Sequence, residues 1–240
     1  MHYLYHGDCL HVLEHIPNAN CIFADPPDNI KLGYSEHNDN LPDDEYVDLL
    51  DTLLQAFVGK APVVWMSYNS KWSFAMGMIV WRLLKANPRL SAKNCIQTFT
   101  FGQHNHHDFG NNHRPLLRLW WPDAAFYPDA IRVPSWRQEN GDKRADPRGR
   151  VPGDVFDFPR VTGNSKQRRP WCPTQLNEGL VERCLLFSTK MGDTVIDPFA
   201  GTGTTLRVCE RIGRSCTLID LDSTYCRNIS EEHGLPISRA

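Results

Sequence analysis

Two groupings in this sequence can carry chemistry: a carboxylate fixed against two prolines, and a pair of glycines at a strand-to-helix turn. The first is Asp25-Pro26-Pro27-Asp28, which ends the short apolar run 20–24. Proline fixes the backbone and leaves carbonyls without competing N–H groups, so Asp25 becomes a rigidly placed acceptor beside a fixed carbonyl. Together they can accept both hydrogens of an –NH2 group and point its lone pair at an electrophile, which is catalysis by positioning. The second is Asp197-Pro198-Phe199-Ala200-Gly201-Thr202-Gly203-Thr204-Thr205. Gly201 and Gly203 let backbone approach a ligand closely, and the helix start behind them offers free N–H groups. About twenty residues on, the strand 215–219 ends in Asp220, an acid suited to a ribose hydroxyl pair. The chain has no Gly-Lys-Thr phosphate loop, so a nucleoside cofactor without a triphosphate fits better than ATP.

Elements of alternating type must hold these groups. The spacing predicts strands at 20–24, 63–66, 95–101, 194–197 and 215–219. Helices are expected over 43–57, 74–84, 174–188, 202–212 and 223–232. Alternation of this kind implies an α/β domain with a mostly parallel sheet covered on both faces. Between Gln103 and about Asn164 the periodicity fails, and a stretch that long inside a compact domain reads as an inserted recognition module.

The chain has 240 residues, a length that suits one domain with an insertion. Its net charge of −2 conceals an asymmetry. Residues 1–60 carry 2 Lys/Arg against 11 Asp/Glu, and residues 131–170 carry 10 against 5, so a near-neutral total is a poor guide to partners. Eight cysteines without a Cys-x-x-Cys pair read as reduced packing residues of a cytoplasmic protein rather than a disulfide scaffold or zinc ribbon. No basic-apolar leader opens the sequence and no apolar stretch is long enough to span a bilayer, so no membrane association is expected.

Over residues 1–101 and 155–232 the chain resembles the permuted (beta-class) DNA amino-methyltransferases, in which the catalytic strand precedes the cofactor loop. Gly7-Asp8-Cys9-Leu10 is similar to the opening motif, Asp25-Pro26-Pro27 to the catalytic tetrapeptide without its last residue, Pro173-Thr174-Gln175 to the helix-start motif, and 197–205 to the glycine loop. The resemblance implies a Rossmann-like fold and S-adenosylmethionine as cofactor. It places Asp8, Cys9, Asp25, Thr174, Gln175, Asp197, Phe199, Ala200, Gly201, Thr202, Gly203, Thr204 and Asp220 at the cofactor, with Thr174 capping its helix. It implies a catalytic unit of Asp25, Pro26, Pro27 and Asp28, and divides the chain into a catalytic half (1–102), a target-recognition insertion (103–154) and a cofactor half (155–240).

One position departs from that pattern. The family usually carries an aromatic residue, most often Tyr, where this chain has Asp28. That ring stacks on the base flipped out of the duplex. Either another ring substitutes, with Tyr34 leading and Tyr68 and Trp65 behind it, or the substrate differs, or activity is weak. Arg132, Arg137, Lys143, Arg144, Arg148 and Arg150, interleaved with Trp136, Gly and Pro, suit phosphate and base-edge contacts with duplex DNA.

The expected reaction is methylation of adenine N6 in DNA. Cytosine N4, an RNA or small-molecule substrate, or an inactive DNA-binding homologue are the alternatives, and the small size leaves a homodimer open. Two leads are discounted. The histidines at 104, 106, 107 and 113 lack a Cys or Glu at ligand spacing, so no metal is expected. Cys172 precedes Pro173, the reverse of the Pro-Cys order of cytosine-ring methylating enzymes.

Overall fold

In the computed structural model, which describes residues 1–34, 36–100 and 105–239, nine strands form one sheet. The strands are β1 (His2–His6), β2 (Cys21–Ala24), β3 (Val63–Ser67), β4 (Ser91–Thr98), β5 (His113–Trp120), β6 (Val155–Asp157), β7 (Thr194–Asp197), β8 (Ser215–Asp220) and β9 (Ile237–Arg239). Their order is β6-β4-β5-β3-β2-β7-β8-β1-β9, parallel throughout except that β5 runs against both β3 and β4. The helices are α1 (Cys9–His15), α2 (Asp43–Lys60), α3 (Ser73–Ala86), α4 (Trp136–Glu139), α5 (Glu178–Ser188), α6 (Thr204–Ile212) and α7 (Ser223–His233).

The side-chain period of two sorts the strands into two cores. Ile22, Ala24, Val64, Met66, Leu117 and Leu119 face α1, α2 and α3. Cys21, Phe23, Val63, Trp65, Leu116, Val195 and Leu218 face α5, α6 and α7. Strands buried on both faces read as continuous apolar runs, as 21–24 and 63–66 do. Helix α2 opens on Asp43, Asp44 and Glu45, which complement its dipole in the absence of a side-chain cap at Pro42. All eight cysteines are buried in this frame. Among the described residues, no helix is long and apolar enough to cross a membrane.

The chain moves outward from the middle of the sheet in both directions. β2 leads through α2 to β3 on one side, and β7 leads through α6 to β8 on the other. The crevice at the carboxyl ends of β2 and β7 is therefore the switch point at which open α/β sheets take ligands. Asp25 and Asp197 stand at those two ends.

The stretch expected to be an irregular insertion contains β5, a central strand of eight residues. Its alternation is hidden because Arg114 and Arg118 occupy positions that a sequence pattern assigns to solvent. Arg118 sits inside the protein with its guanidinium 4.3 Å from the Trp120 ring centroid and 5.0 Å from those of Phe126 and Phe187. The expected 102/103 boundary lies outside the described residues, and the expected strand 95–101 is replaced by 91–98.

Candidate active site

Asp25-Pro26-Pro27-Asp28 forms a corner at the end of β2 and is held from three directions. The Tyr46 hydroxyl on α2 donates to the Pro27 carbonyl at 2.5 Å. The Trp72 indole N–H donates to the Asp28 carbonyl at 2.7 Å. The Arg114 guanidinium on β5 supplies the third hold through side chains. Its Nη1 and Nη2 donate to the Asp28 oxygens at 2.7 and 2.9 Å, its Nη2 also to Asp25 Oδ1 at 2.8 Å, and its Nε to Ser67 Oγ at 2.5 Å. No described residue donates a hydrogen bond to the Pro26 carbonyl. Burial pushes the Asp25 carboxyl above the usual carboxylate range; Arg114 opposes that shift and the Asp28 charge adds to it.

The segment after the corner is a compact loop. Asp39 accepts the backbone N–H groups of Asn29, Ile30 and Leu32 at 2.7, 3.1 and 2.8 Å, and its carbonyl accepts that of Lys31. This holds Asn29 and Lys31 in left-handed backbone, with φ of 54° and 65°. The loop presents Tyr34, whose hydroxyl lies 3.4 Å from Thr174 Oγ1.

Two cavities meet at this corner. The first, of about 1240 Å³ and open at its mouth, is bounded by Gly7–Leu10, the loop 197–205 and Asp220–Asp222. Its described lining carries the carboxylates of Asp8, Asp25, Asp197, Asp220 and Asp222 and neither Lys nor Arg. The second, of about 1110 Å³, is lined by Asp28, Asn69, Gln97, Phe99, His113, Arg114 and Arg160 among others. Asp25, Pro26, Tyr34, Thr174, Gln175 and Leu176 line both.

The first cavity suits S-adenosylmethionine on its own chemistry. A lining with five carboxylates and no Lys or Arg of its own favours a sulfonium and repels a polyphosphate. Gly201 and Gly203 hold φ of 50° and 73°, which only glycine takes easily, and bring the backbone against the cavity at the start of α6. The acids also build the walls. Asp8 caps α1 through Leu10 and His11 N–H, and Asp222 caps α7. Asp220 accepts from Gly201 N at 2.7 Å and Asp222 N at 2.8 Å, so it ties the glycine loop to the next strand as well as facing the cavity. Asp197 accepts from Phe199 N at 3.0 Å. Burial raises Asp197 to about 7 and Asp220 to about 6.

Most expected cofactor residues come together: Asp8, Cys9, Asp25, Thr174, Gln175, Asp197, Phe199, Ala200, Gly201, Thr202, Thr204 and Asp220 all line the first cavity. Gly203 shapes the loop from behind, where an added Cβ would meet Ile229 at 3.4 Å. Thr174 does not cap its helix. α5 starts at Glu178 and Asn177 caps it, accepting from Gly179 N at 2.8 Å. Asp28 faces the second cavity alone. Tyr68 and Trp65 are enclosed in the core, Trp65 with its N–H on Ser188, so neither can meet a base. Tyr34 is at the junction of the cavities.

The basic segment lies elsewhere. β5 enters the sheet at the edge bearing Asp25, where His113 pairs with Thr98, and leaves at the opposite edge, where Trp120 pairs with Val63. From there Trp121 N bonds Pro62 O, and Tyr127 N bonds Phe187 O near the end of α5. Arg137, Lys143, Arg144, Arg148 and Arg150 follow from this far edge and line neither cavity. Arg144 and Arg148 are in addition paired with Asp142 and Asp146. At the site edge the cations are Arg114 and Arg160, the latter 5.3 Å over the Phe99 ring. A charge count cannot reveal which sheet edge a segment leaves from, which is why Arg160 was overlooked. Arg114, Ser67 and Tyr46 were missed because each acts through a contact distant in sequence, and Asp39 because its partners in the same loop are backbone N–H groups that carry no side-chain signal. His104 lies outside the described residues, and His106 and His107 are exposed, their ring centroids 6.4 Å apart.

A family model described as DNA methylase matches residues 19–232. The DNA adenine methyltransferase YhdJ of Escherichia coli K12 is 30% identical over 241 residues, covering 92% of this chain and 79% of its own length. The chain spans 66–79% of the lengths of three of the curated relatives it matches. Among solved structures, the cytosine-N4-specific PvuII DNA methyltransferase aligns with a TM-score of 0.73 at 16% identity, over 97% of this chain and 86% of the other. The M1.HpyAVI–SAM complex aligns with a TM-score of 0.67 at 17% identity, over 98% and 100%.

Proposed function

This chain belongs to the DNA methylase family, the N6 and N4 amino-methyltransferases, and on that premise we propose that it transfers a methyl group from S-adenosylmethionine to the N6 amino group of adenine in DNA. The carrying observation is the Asp25–Pro26 corner standing as a common wall between an acidic, glycine-looped cavity and a second polar cavity. Bound in the first, the cofactor supplies an electrophilic methyl carbon. The Asp25 carboxylate and the Pro26 carbonyl accept the two amino hydrogens of a base held in the second. That aims the nitrogen lone pair through the wall. As the N–C bond formed, the bond from that methyl to the sulfonium sulfur would break with its electron pair left on sulfur as a neutral thioether; the nitrogen would become cationic and pass its proton to Asp25 or to water. The low-dielectric setting strengthens the attraction between Asp25 and the developing positive charge.

A base reaches this cavity only when turned out of the duplex, and Tyr34 is the ring placed to stack on it. Duplex phosphates meet the second cavity, which Arg160 lines, with exposed Lys166 on the same 158–177 connection, rather than the 131–150 segment. Adenine is favoured because Asp25 occupies the first position of the tetrapeptide, where cytosine enzymes of the family often carry Ser. Cytosine N4 is the second reading, favoured by the fold likeness to a cytosine-N4-specific enzyme. Tritiated-methyl transfer to genomic DNA, followed by nucleoside analysis, tests both. Label in N6-methyladenine is the expected result, label in N4-methylcytosine selects the second reading, and no label overturns the activity.

A further inference from the structure

Asp28 occupies the position of a stacking ring, yet it is buried and its carboxylate is bound to a cation, Arg114, at the wall of the second cavity. One guanidinium, Arg114, lies between two carboxylates, and its N–H groups are unequally divided. Two bonds go to Asp28, one goes to a single oxygen of Asp25, and Nε is taken by Ser67. Asn69 adds a longer contact to Asp28 at 3.5 Å, and Trp72 pins the Asp28 backbone. The fork is thus oriented by Asp28 and Ser67, and Asp25 meets only its edge.

A guanidinium prefers to bind one carboxylate with two parallel bonds. Were Asp28 absent, Asp25 would be the carboxylate left bonded to Arg114 among the described residues. Pairing of that kind would occupy the Asp25 oxygens and neutralise its charge, leaving neither for an amino group. With Asp28 present, the three groups sum to one negative charge at the corner.

We infer that Asp28 is a positioning residue: it holds the Arg114 fork away from full pairing with Asp25, so that Asp25 keeps an acceptor oxygen and its charge for the target amino group. The inference rests on the reading of Asp25 as the amino-holding carboxylate. It gives a reason for an aspartate to stand where a ring is usual, because Arg114 on β5 requires a second anion at that place.

The test is a coupled set of variants assayed for methyl transfer to genomic DNA from a methylation-deficient host, with thermal midpoints measured on the same proteins. D28N should lower kcat at least ten-fold while KM for DNA stays within about two-fold, because the released fork closes on Asp25 rather than blocking entry. D28N/R114Q removes the competitor with the clamp and should recover at least three-fold in kcat over D28N, with a higher midpoint. D28N/R114K keeps a cation free to pair with Asp25 and should remain as low as D28N. The ranking of the two double variants decides the matter even if D28N alone does not fold. D28N/R114Q no more active than D28N/R114K overturns the inference. D25N separates the two levels: an active D25N removes the underlying reading, whereas an inactive D25N with an unrescued D28N/R114Q removes only the role of Asp28.

Discussion

Tyr46, one turn into α2, places its hydroxyl 2.5 Å from the Pro27 carbonyl and so bolts a helix packed on one face of the sheet to the catalytic corner. Its ring tilts against Trp72 at 4.7 Å, and Trp72 holds the next carbonyl. Tyr46→Phe keeps the packing and removes the bolt. It should cost about 1 kcal/mol of stability, the usual net worth of one such bond. Its larger effect should be on kcat, because the Pro26 carbonyl turns on the same backbone. Denaturant melts paired with steady-state rates check this; a rate loss no larger than the stability loss implies would show that the bolt is dispensable.

The loop bearing Tyr34 depends on Asp39, which alone satisfies three backbone N–H groups through its carboxylate. Asp39→Ala should destabilise this loop by about 3 kcal/mol, since donors left without a charged acceptor cost roughly 1–3 kcal/mol each and water recovers part. Limited proteolysis should then cut within 29–40 while the remainder stays intact. Unchanged protease resistance would remove Asp39 as the loop's organiser.

For Tyr34 itself, stacking on a base is worth roughly 1–3 kcal/mol, or about five- to 150-fold in affinity for a flipped nucleotide. Tyr34→Ala should lose that amount, and Tyr34→Phe should retain most of it because only the contact with Thr174 goes. Fluorescence of 2-aminopurine at the target position of a methylatable duplex reports the flipped state directly. Equal signals from the Ala and Phe variants would assign the stacking to another ring.

Salt dependence distinguishes the two basic surfaces. Each lost phosphate contact reduces the slope of log affinity against log salt by about 0.9. Neutralising Arg160 and Lys166 should flatten the slope for duplex DNA by about 2, whereas neutralising Arg137, Lys143 and Arg150 should leave it nearly unchanged. The reverse pattern would return DNA to the far edge of the sheet.

Asp197 makes stability depend on pH in an identifiable direction. Its folded value is about 7 against an ordinary 3.8, so the folded state binds the proton more tightly than the unfolded chain does. The stability it contributes is fully present below about 3.8 and is lost as pH rises through about 7. Asp197→Asn keeps an acceptor for Phe199 N–H without the buried charge. It should therefore melt higher than the parent at pH 8, with the advantage shrinking as pH falls towards 4. An advantage independent of pH would mean that the Asp197 charge is not the cause.

The fold was legible in sequence wherever one strand or helix explains itself. The runs 21–24 and 63–66, the acidic start at Asp43 and the glycine loop stood out because each signal is local and repeated. β5 was not legible, because Arg114 and Arg118 are half-buried charges that break the pattern; Arg114 finds its partner 86 residues away in Asp28, and Arg118 in a group of aromatic rings. The same limit applied to the site. Asp25 and the cofactor loop carried motifs, while the groups that orient them, Tyr46, Ser67 and Arg114, are ordinary residues until the chain is folded. The charge run at 131–150 shows the converse limit: composition reports that cations are present, and strand direction decides from which edge of the sheet the segment departs.

The eight buried thiols offer a final use. They are spread over β1–α1, both halves of the sheet and helices α5, α6 and α7, and burial raises those of Cys9 and Cys226 to about 12. A thiol must be both ionised and exposed to react, and burial opposes that in the native molecule. Each becomes a timestamp on the opening of its own neighbourhood. The labelling rate of Cys172, beside the cofactor loop, compared with that of Cys95 on β4, would reveal whether the protein breathes from its ligand edge or only by coming apart as a whole.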